Sequence, residues 1–362
     1  MMKLLVVIPT WNRADYLDKA ISAIASARAR ARACQVELFI SDNQSSDRTP
    51  EVVARWQEGA PWIHCRRWEE HTTRWSEILR RAFLGSDLEA DYLWLQGDDD
   101  WIVDSLAYEK LARVLEAHAE APPALVHCCQ ARRAHPKDGR VVEGLTEDLC
   151  NLYGWHDLLG WISSLVISRD TAARMMASPQ LDMAHPSVFC HSEALLEAAY
   201  GQRMLILAAG LIDPQDEEQT QECLERWRQA KVPAQYWLIV PGLLNLRRRG
   251  ILAKDLAPTF FRYQTYSFWD RFAGEIMTMT TALDVPDEVL EDKLRLLGLL
   301  GSLLGPGPER KLYETWLEGL QNDAGAVRSA LRVLGTRIAG AGQASHPWEL
   351  MPPPRSGESA CS

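Results

Sequence analysis

No apolar run in this chain approaches the roughly eighteen residues that a membrane-spanning helix requires. The richest candidate, 236–246, is short and interrupted by Pro241, Gly242 and Asn245. Basic excess is also missing: a formal net charge of −10 over 362 residues repels phosphate backbones at long range, so no nucleic-acid partner is expected. The eight cysteines, Cys34, Cys65, Cys128, Cys129, Cys150, Cys190, Cys223 and Cys361, contain no C-x-x-C pair and no metal-ligand rhythm. They read as reduced thiols, which points to the cytoplasm. The start imitates a signal peptide, but its apolar stretch stops at Pro9, before polar Thr10, Asn12 and Arg13. A Gly- and Lys-rich phosphate loop is absent after this first apolar segment, where Pro9-Thr10-Trp11-Asn12 stands instead. There is no internal repeat.

What the chain does have is an alternation of short apolar runs and helical patterns. Leu4 to Ile8 is continuously aliphatic, as in a strand covered on both faces. Leu17, Ile21 and Ile24 then recur at helical spacing, with Asn12 as the expected cap. Val36 to Ile40 gives a second strand, and Thr49-Pro50 is the expected cap and first position of a second helix. Further strands are expected over 62–66, 92–95, 125–129, 162–168 and 204–208, and helices over 74–83, 105–118 and 189–200. Three of the strands end in polar turns, as the binding crevice of an open α/β sheet requires. Fourteen tryptophans are many for this length; most are expected in the core.

The most informative of those turns is Gly97-Asp98-Asp99-Asp100, which follows the run Tyr92 to Leu95. In extended chain Asp98 and Asp100 would share a face while Asp99 turns back toward the body. Two carboxylates about 6 Å apart repel by roughly 0.7 kcal/mol in water and by more where solvent is thin. A hard divalent cation would convert that repulsion into coordination, sharing oxygen ligands with substrate phosphates. A solvated acidic turn is the plain alternative. For Asp42 and Asp47 the alternative is local turn chemistry, since Asp, Asn and Ser satisfy nearby backbone groups in such loops.

Residues 1–212 resemble the family 2 glycosyltransferases of GT-A fold, on Ile8-Pro9-Thr10-Trp11-Asn12-Arg13, Ser41-Asp42-Asn43-Gln44-Ser45-Ser46-Asp47 and Leu95-Gln96-Gly97-Asp98-Asp99-Asp100 in that order. The resemblance implies an α/β domain with a Rossmann-like mixed sheet flanked by helices. It implies transfer of a sugar from a nucleotide-diphosphate sugar, with a UDP-sugar expected, onto a hydroxyl in glycan or natural-product synthesis. Pro9, Thr10, Asn12 and Arg13 would border the base, and Asp42 would accept its hydrogen bond. Asp98 and Asp100 would be the ends of the D-x-D element, with Asp98 and Asp99 toward the donor. Asp100, with Asp98, would hold Mn2+ or Mg2+.

Members of this family usually invert the anomeric centre, which needs a base for the acceptor hydroxyl. Where they often carry a Glu-Asp pair, this chain lacks that pair; His191 occupies nearly the same place, followed as candidates by Glu193 and Asp182. Around 71–82 the family's Asn and Gly are also missing, leaving Arg74 and Trp75 as a candidate phosphate contact and pocket wall, or as ordinary surface and core. The missing pair keeps a second reading open, a sugar-nucleotide-binding or scaffolding protein of the same fold.

After Pro214 the pattern becomes almost wholly helical, giving an expected helical domain over 213–339 and a loose Gly-, Ser- and Pro-rich tail over 340–362. These helices would pack on the catalytic domain, form a homodimer surface or hold a glycan, lipid-linked or small-molecule acceptor. Arg247-Arg248-Arg249, followed by Phe260, Phe261, Tyr263, Tyr266, Phe268 and Trp269, fits either a buried aromatic face or a peripheral contact with the anionic inner face of a membrane.

Overall fold

The computed structural model describes residues 1–131, 138–182, 190–214 and 246–251. The chain opens with β1 (Met2–Thr10), α1 (Ala14–Arg28), β2 (Cys34–Asp42), α2 (Thr49–Gln57), β3 (Ile63–Arg67), α3 (Trp75–Leu84) and β4 (Tyr92–Leu95). It continues through β5 (Asp100–Ile102), α4 (Ala107–Ala117), β6 (Leu125–Gln130), β7 (Val141–Leu145), α5 (Thr146–Tyr153) and α6 (Trp155–Leu159). It closes with β8 (Leu165–Ser168), α7 (Arg169–Met176), α8 (Cys190–Ala198) and β9 (Arg203–Pro214).

All nine strands join one mixed sheet in the order β3-β2-β1-β4-β8-β6-β9-β5, with β7 pairing β9 off that path. β3, β2, β1 and β4 run parallel, so their carboxyl ends open along one edge. β8 is antiparallel to β4 and begins the second half of the sheet.

The aliphatic run of β1 is divided between two helical layers. Leu4, Val6 and Ile8 share a core with Leu17, Ile21 and Ile24 of α1 and Leu111 of α4. Leu5 and Val7 share the opposite core with Leu79 of α3, Leu158 and Leu159 of α6 and Leu195 of α8. Burying each such side chain contributes about 1.5–3 kcal/mol relative to leaving it in water. That two-sided burial is why β1 lacks the polar alternation of a half-exposed strand.

Several local expectations are corrected. Asn12 does not cap α1: it adopts the left-handed region, φ 53°, and Arg13 occupies the cap position without a side-chain cap bond. Its Oδ1 instead accepts the backbone N–H of Ser46 at 2.6 Å, while Asp47 Oδ2 accepts the Ala14 N–H at 3.0 Å. The two loops therefore satisfy each other's backbone. Thr49 is the first residue of α2 rather than its cap. Of the strand expected over 162–168, Ile162–Ser164 is a 3-10 turn and only Leu165–Ser168 is extended.

The helical domain expected over 213–339, the tail over 340–362, Phe260 to Trp269, Cys223 and Cys361 lie outside the described residues, except for 213–214 and 246–251. There Leu246 and Ile251 are buried in the α3–α8 core, and Arg249 pairs with Glu197 at 2.8 Å. Among the described residues no helix is long and apolar enough to cross a membrane. Burial pushes the Cys34 thiol up to about 11 and those of Cys65 and Cys190 up to about 12, which makes them poor nucleophiles.

Candidate active site

The carboxyl ends of β1, β2 and β4 bring the three polar turns together. Thr10, the last residue of β1, lies in register with Asp42, the last of β2. Its hydroxyl donates to Asp98 Oδ2 at 2.7 Å. Asp42 and the acidic turn thus border one stretch of sheet edge, joined through a single threonine. Pro9 lies one step back, opposite Ser41.

Asp42 is buried and already engaged on both oxygens. Oδ1 accepts the Ser45 N–H at 2.8 Å, the turn chemistry expected of such a loop. Oδ2 lies 3.6 Å from Arg67 Nε, and Arg67 also donates to the Ser45 carbonyl at 2.7 Å. Asp47, further along, serves the backbone: it accepts from Ala14 and Thr49 at 3.0 Å each. Its carboxyl is pushed up by partial burial but held lower on balance by the hydrogen bonds of Thr49 and Ala14.

Residues 97–100 form a tight turn, not the extended segment expected, with the Asp100 N–H donating to the Gly97 carbonyl at 3.3 Å. Asp98 and Asp100 are buried; Asp99, expected to face the body, is the most exposed of the three. Arg13, expected beside the base, turns its guanidinium onto this turn instead: NH1 donates to Asp98 Oδ1 at 2.7 Å and NH2 to Asp99 Oδ2 at 2.6 Å. Asp100 has a different partner. Its Oδ2 accepts the hydroxyl of Ser163, a buried residue that also accepts the Gly97 N–H at 2.7 Å.

Burial pushes Asp98 up to about 7, against the pull of Arg13 and with the help of Asp99. Burial, then Asp99, pushes Asp100 well above the usual carboxylate range, the Ser163 hydrogen bond offsetting part of it. A positive charge beside these two buried carboxyls would favour their ionised forms. Gly97 adds a steric observation: a Cβ there would stand 2.7 Å from Asp100 Oδ2 and 2.8 Å from Asp99 Oδ1. Among the described residues, no group of three or more His, Cys, Asp or Glu side chains could hold a metal ion. Asp98 and Asp100 are carboxylates, the oxygen-ligand type that hard divalent cations take, and such ions often share one or two of them with substrate phosphates.

Near this edge, half-exposed Trp11 lies against the His71 ring at 4.4 Å between centroids. Asn43 anchors the His71 segment, donating to the Thr72 carbonyl at 2.7 Å and accepting the Thr72 N–H at 3.1 Å. Arg67, Ser163 and the Asn43–His71 tie were not singled out from sequence, because each acts through a partner more than twenty residues away.

The proton-acceptor candidates do not converge on one point. His191 is buried in the first turn of α8; its Nδ1 lies 3.2 Å from the donating Trp75 indole N–H, and its Nε2 lies 3.3 Å from the Gly160 carbonyl. That pattern sets the tautomer: Nδ1 accepts and Nε2 carries the proton. Glu193 is buried in the same turn. Asp182 is largely exposed and pairs with Arg80 of α3. Residues 183–189, between these candidates, lie outside the described residues. The Ser192 hydroxyl donates to the Leu159 carbonyl at 2.8 Å, so α8 begins against the segment that leads to Ser163.

Residues 5–148 match the family model described as Glycosyl transferase family 2. That segment, about two fifths of the chain, is similar to the family 2 glycosyltransferases. Abequosyltransferase RfbV of Salmonella typhimurium is 29% identical over 122 residues, which cover 33% of this chain and 34% of that protein. An uncharacterized glycosyltransferase of Mycoplasma genitalium, MG060, is 25% identical over 99 residues, covering 27% of this chain and 33% of that protein. The chain thus spans about a third of the length of these curated relatives. Among solved structures, residues 1–349 of S. aureus TarS superpose with a TM-score of 0.54 at 15% identity, covering 95% of this chain and 93% of that one. TarS in complex with UDP-GlcNAc gives 0.54 at 14% identity, covering 94% and 92%. This likeness is one of fold, the GT-A arrangement of a mixed sheet between helices. The matched segment runs from within β1 through β4 and the acidic turn, whereas Ser163, His191 and Glu193 lie beyond it.

Proposed function

We propose that this protein transfers a sugar from a nucleotide-diphosphate sugar, in the first instance a UDP-sugar, to a hydroxyl-bearing acceptor, with inversion and with Mn2+ or Mg2+. The observation that carries the reading is Thr10, in register with Asp42 and hydrogen-bonded to Asp98 at 2.7 Å. A nucleotide laid along that edge would meet Asp42 at its base and the acidic turn at its diphosphate. The family 2 match, the abequosyltransferase relative and the UDP and UDP-GlcNAc complexes of TarS support the donor class.

In this reading Asp42, held by Ser45 and Arg67, accepts a ring N–H of the base. Pro9, Thr10 and Asn12 fix the loop it lies against. Asp100 and Asp98 would hold the cation, which when bound neutralises charge on the leaving diphosphate. Ser163 keeps Asp100 aimed, and Gly97 leaves room for the carboxylates to close. The acceptor oxygen bonds to the anomeric carbon as the bond to the diphosphate breaks, and its proton passes to a base in the first turn of α8. His191 can take it at Nδ1 once Trp75 releases that atom; Glu193 is the alternative in the same turn. Asp182, engaged with Arg80 at the surface, is the weakest of the three.

A thermal-shift screen of UDP, GDP and their sugars, with and without Mn2+, tests the reading, because a ligand that prefers the native state raises Tm. UDP with Mn2+ should raise Tm, and Asp100→Ala should abolish the Mn2+-dependent part while leaving the unliganded Tm near that of wild type. If no nucleotide diphosphate shifts Tm, the assignment is wrong. The occupied His191 ring favours a second reading, a sugar-nucleotide-binding protein without turnover. Tight UDP-sugar binding with no metal-dependent release of UDP would select it.

A further inference from the structure

Arg13 lies against the acidic turn. Its two terminal nitrogens divide between Asp98 and Asp99, at 2.7 and 2.6 Å, and its guanidinium carbon lies 4.7 Å from the Tyr16 ring centroid. Its side chain is only 20% exposed. A forked cation held by two carboxylates and backed by an aromatic ring is an ordered counter-ion. One positive charge there opposes entry of a divalent cation, both by occupying carboxylate oxygens and by direct repulsion.

We infer that Arg13 is an internal counter-ion that keeps divalent cations off the acidic turn until a diphosphate arrives, and then transfers its guanidinium to that diphosphate. The inference rests on the proposed donor site. A guanidinium fork suits phosphate oxygens as well as carboxylates, so Arg13 keeps anionic partners in both states. Asp98 and Asp99 are released only when the incoming phosphates give Arg13 somewhere else to go. Cation and nucleotide then bind cooperatively, and by linkage each raises the affinity for the other by the same factor. Cation alone would bind weakly, because Arg13 already occupies an oxygen of Asp98 and one of Asp99.

The test measures Mn2+ binding to the full chain by electron paramagnetic resonance of free Mn2+, with and without UDP, and UDP binding by calorimetry without metal. In wild type, UDP should tighten Mn2+ binding by about tenfold or more, within the usual range for coupled sites. Arg13→Gln should move the two single-ligand affinities in opposite directions: Mn2+ alone tighter by about tenfold, UDP alone weaker, and the coupling largely lost. A merely structural role would weaken both. If Arg13→Gln does not fold, Arg13→Lys is read by the same pair of signs with a smaller amplitude, since one ammonium cannot span both carboxylates. Should UDP and Mn2+ fail to bind wild type together, the functional reading falls and takes this inference with it. Should they bind together while the variant holds Mn2+ alone no more tightly than wild type, only the role of Arg13 is overturned.

Discussion

Trp75 donates its indole N–H to His191 Nδ1 at 3.2 Å, tying the first turn of α3 to the first turn of α8. The bond occupies the one ring nitrogen that could accept a proton in this tautomer. If His191 is the base, His191→Ala lowers turnover by on the order of a hundredfold, the scale of general-base catalysis. Trp75→Phe removes the donor, keeps a ring in the wall and leaves turnover within about threefold of wild type. Trp75→Phe loses one part-buried hydrogen bond and His191→Ala loses two, at about 1 kcal/mol each. Turnover and Tm measured together separate the roles. Equal losses of turnover in the two variants would reduce His191 to a structural tie and move the base to Glu193.

Gly97 opens the acidic turn, its carbonyl accepting the Asp100 N–H at 3.3 Å. A Cβ at this position would stand 2.7 Å from Asp100 Oδ2, an oxygen held by Ser163, and 2.8 Å from Asp99 Oδ1. Gly97→Ala therefore displaces the carboxylates themselves. Its stability cost should stay within the about 1–3 kcal/mol of ordinary overpacking. The affinity for UDP with Mn2+ should fall by about tenfold or more. Gly59→Ala, where a Cβ meets nothing within 4 Å, is the control and should change neither quantity. Unaltered nucleotide binding in Gly97→Ala would mean that the carboxylates need not hold this arrangement.

The sequence made the parallel half of the sheet legible because two-sided burial turns β1 and β4 into uninterrupted apolar runs. The same logic missed β5, three residues that open on Asp100 and owe their strand character to pairing with β9. It missed β7 as well, whose pairing with β9 cannot be read from a five-residue segment carrying Glu143 and Gly144. Asn12 was recognisable as a capping type, but its partners are Ser46 and Asp47, more than thirty positions on. Ser163 carried no signal. A serine between Ile162 and Leu165 looks unremarkable until the fold sets its hydroxyl between Gly97 and Asp100, the latter 63 positions away. The acidic turn and Asp42 were legible as residues of a site, whereas the direction each carboxylate faces was fixed by Thr10, Arg13 and Ser163.

Burial pushes the Asp98 carboxyl up to about 7, with Arg13 pulling down and Asp99 pushing up, while an unfolded aspartate titrates near 3.8. The native state therefore holds this proton more tightly than the unfolded chain. Its contribution to stability is complete below the unfolded value and is lost as pH rises through about 7. Asp98→Asn mimics the protonated form at every pH. Relative to the variant, wild type without ligand should lose stability between about pH 4 and pH 7 and level off above that. Thermal melts of both proteins at pH 5, 6, 7 and 8, on the order of one unit apart, would read the difference directly. With UDP and Mn2+ the sign inverts, because the ligand set needs the ionised carboxylate: affinity should rise up to about pH 7, and calorimetry in buffers of different ionisation enthalpy should detect released protons. A stability difference that stays constant across the range would mean that Asp98 is already ionised, held so by Arg13.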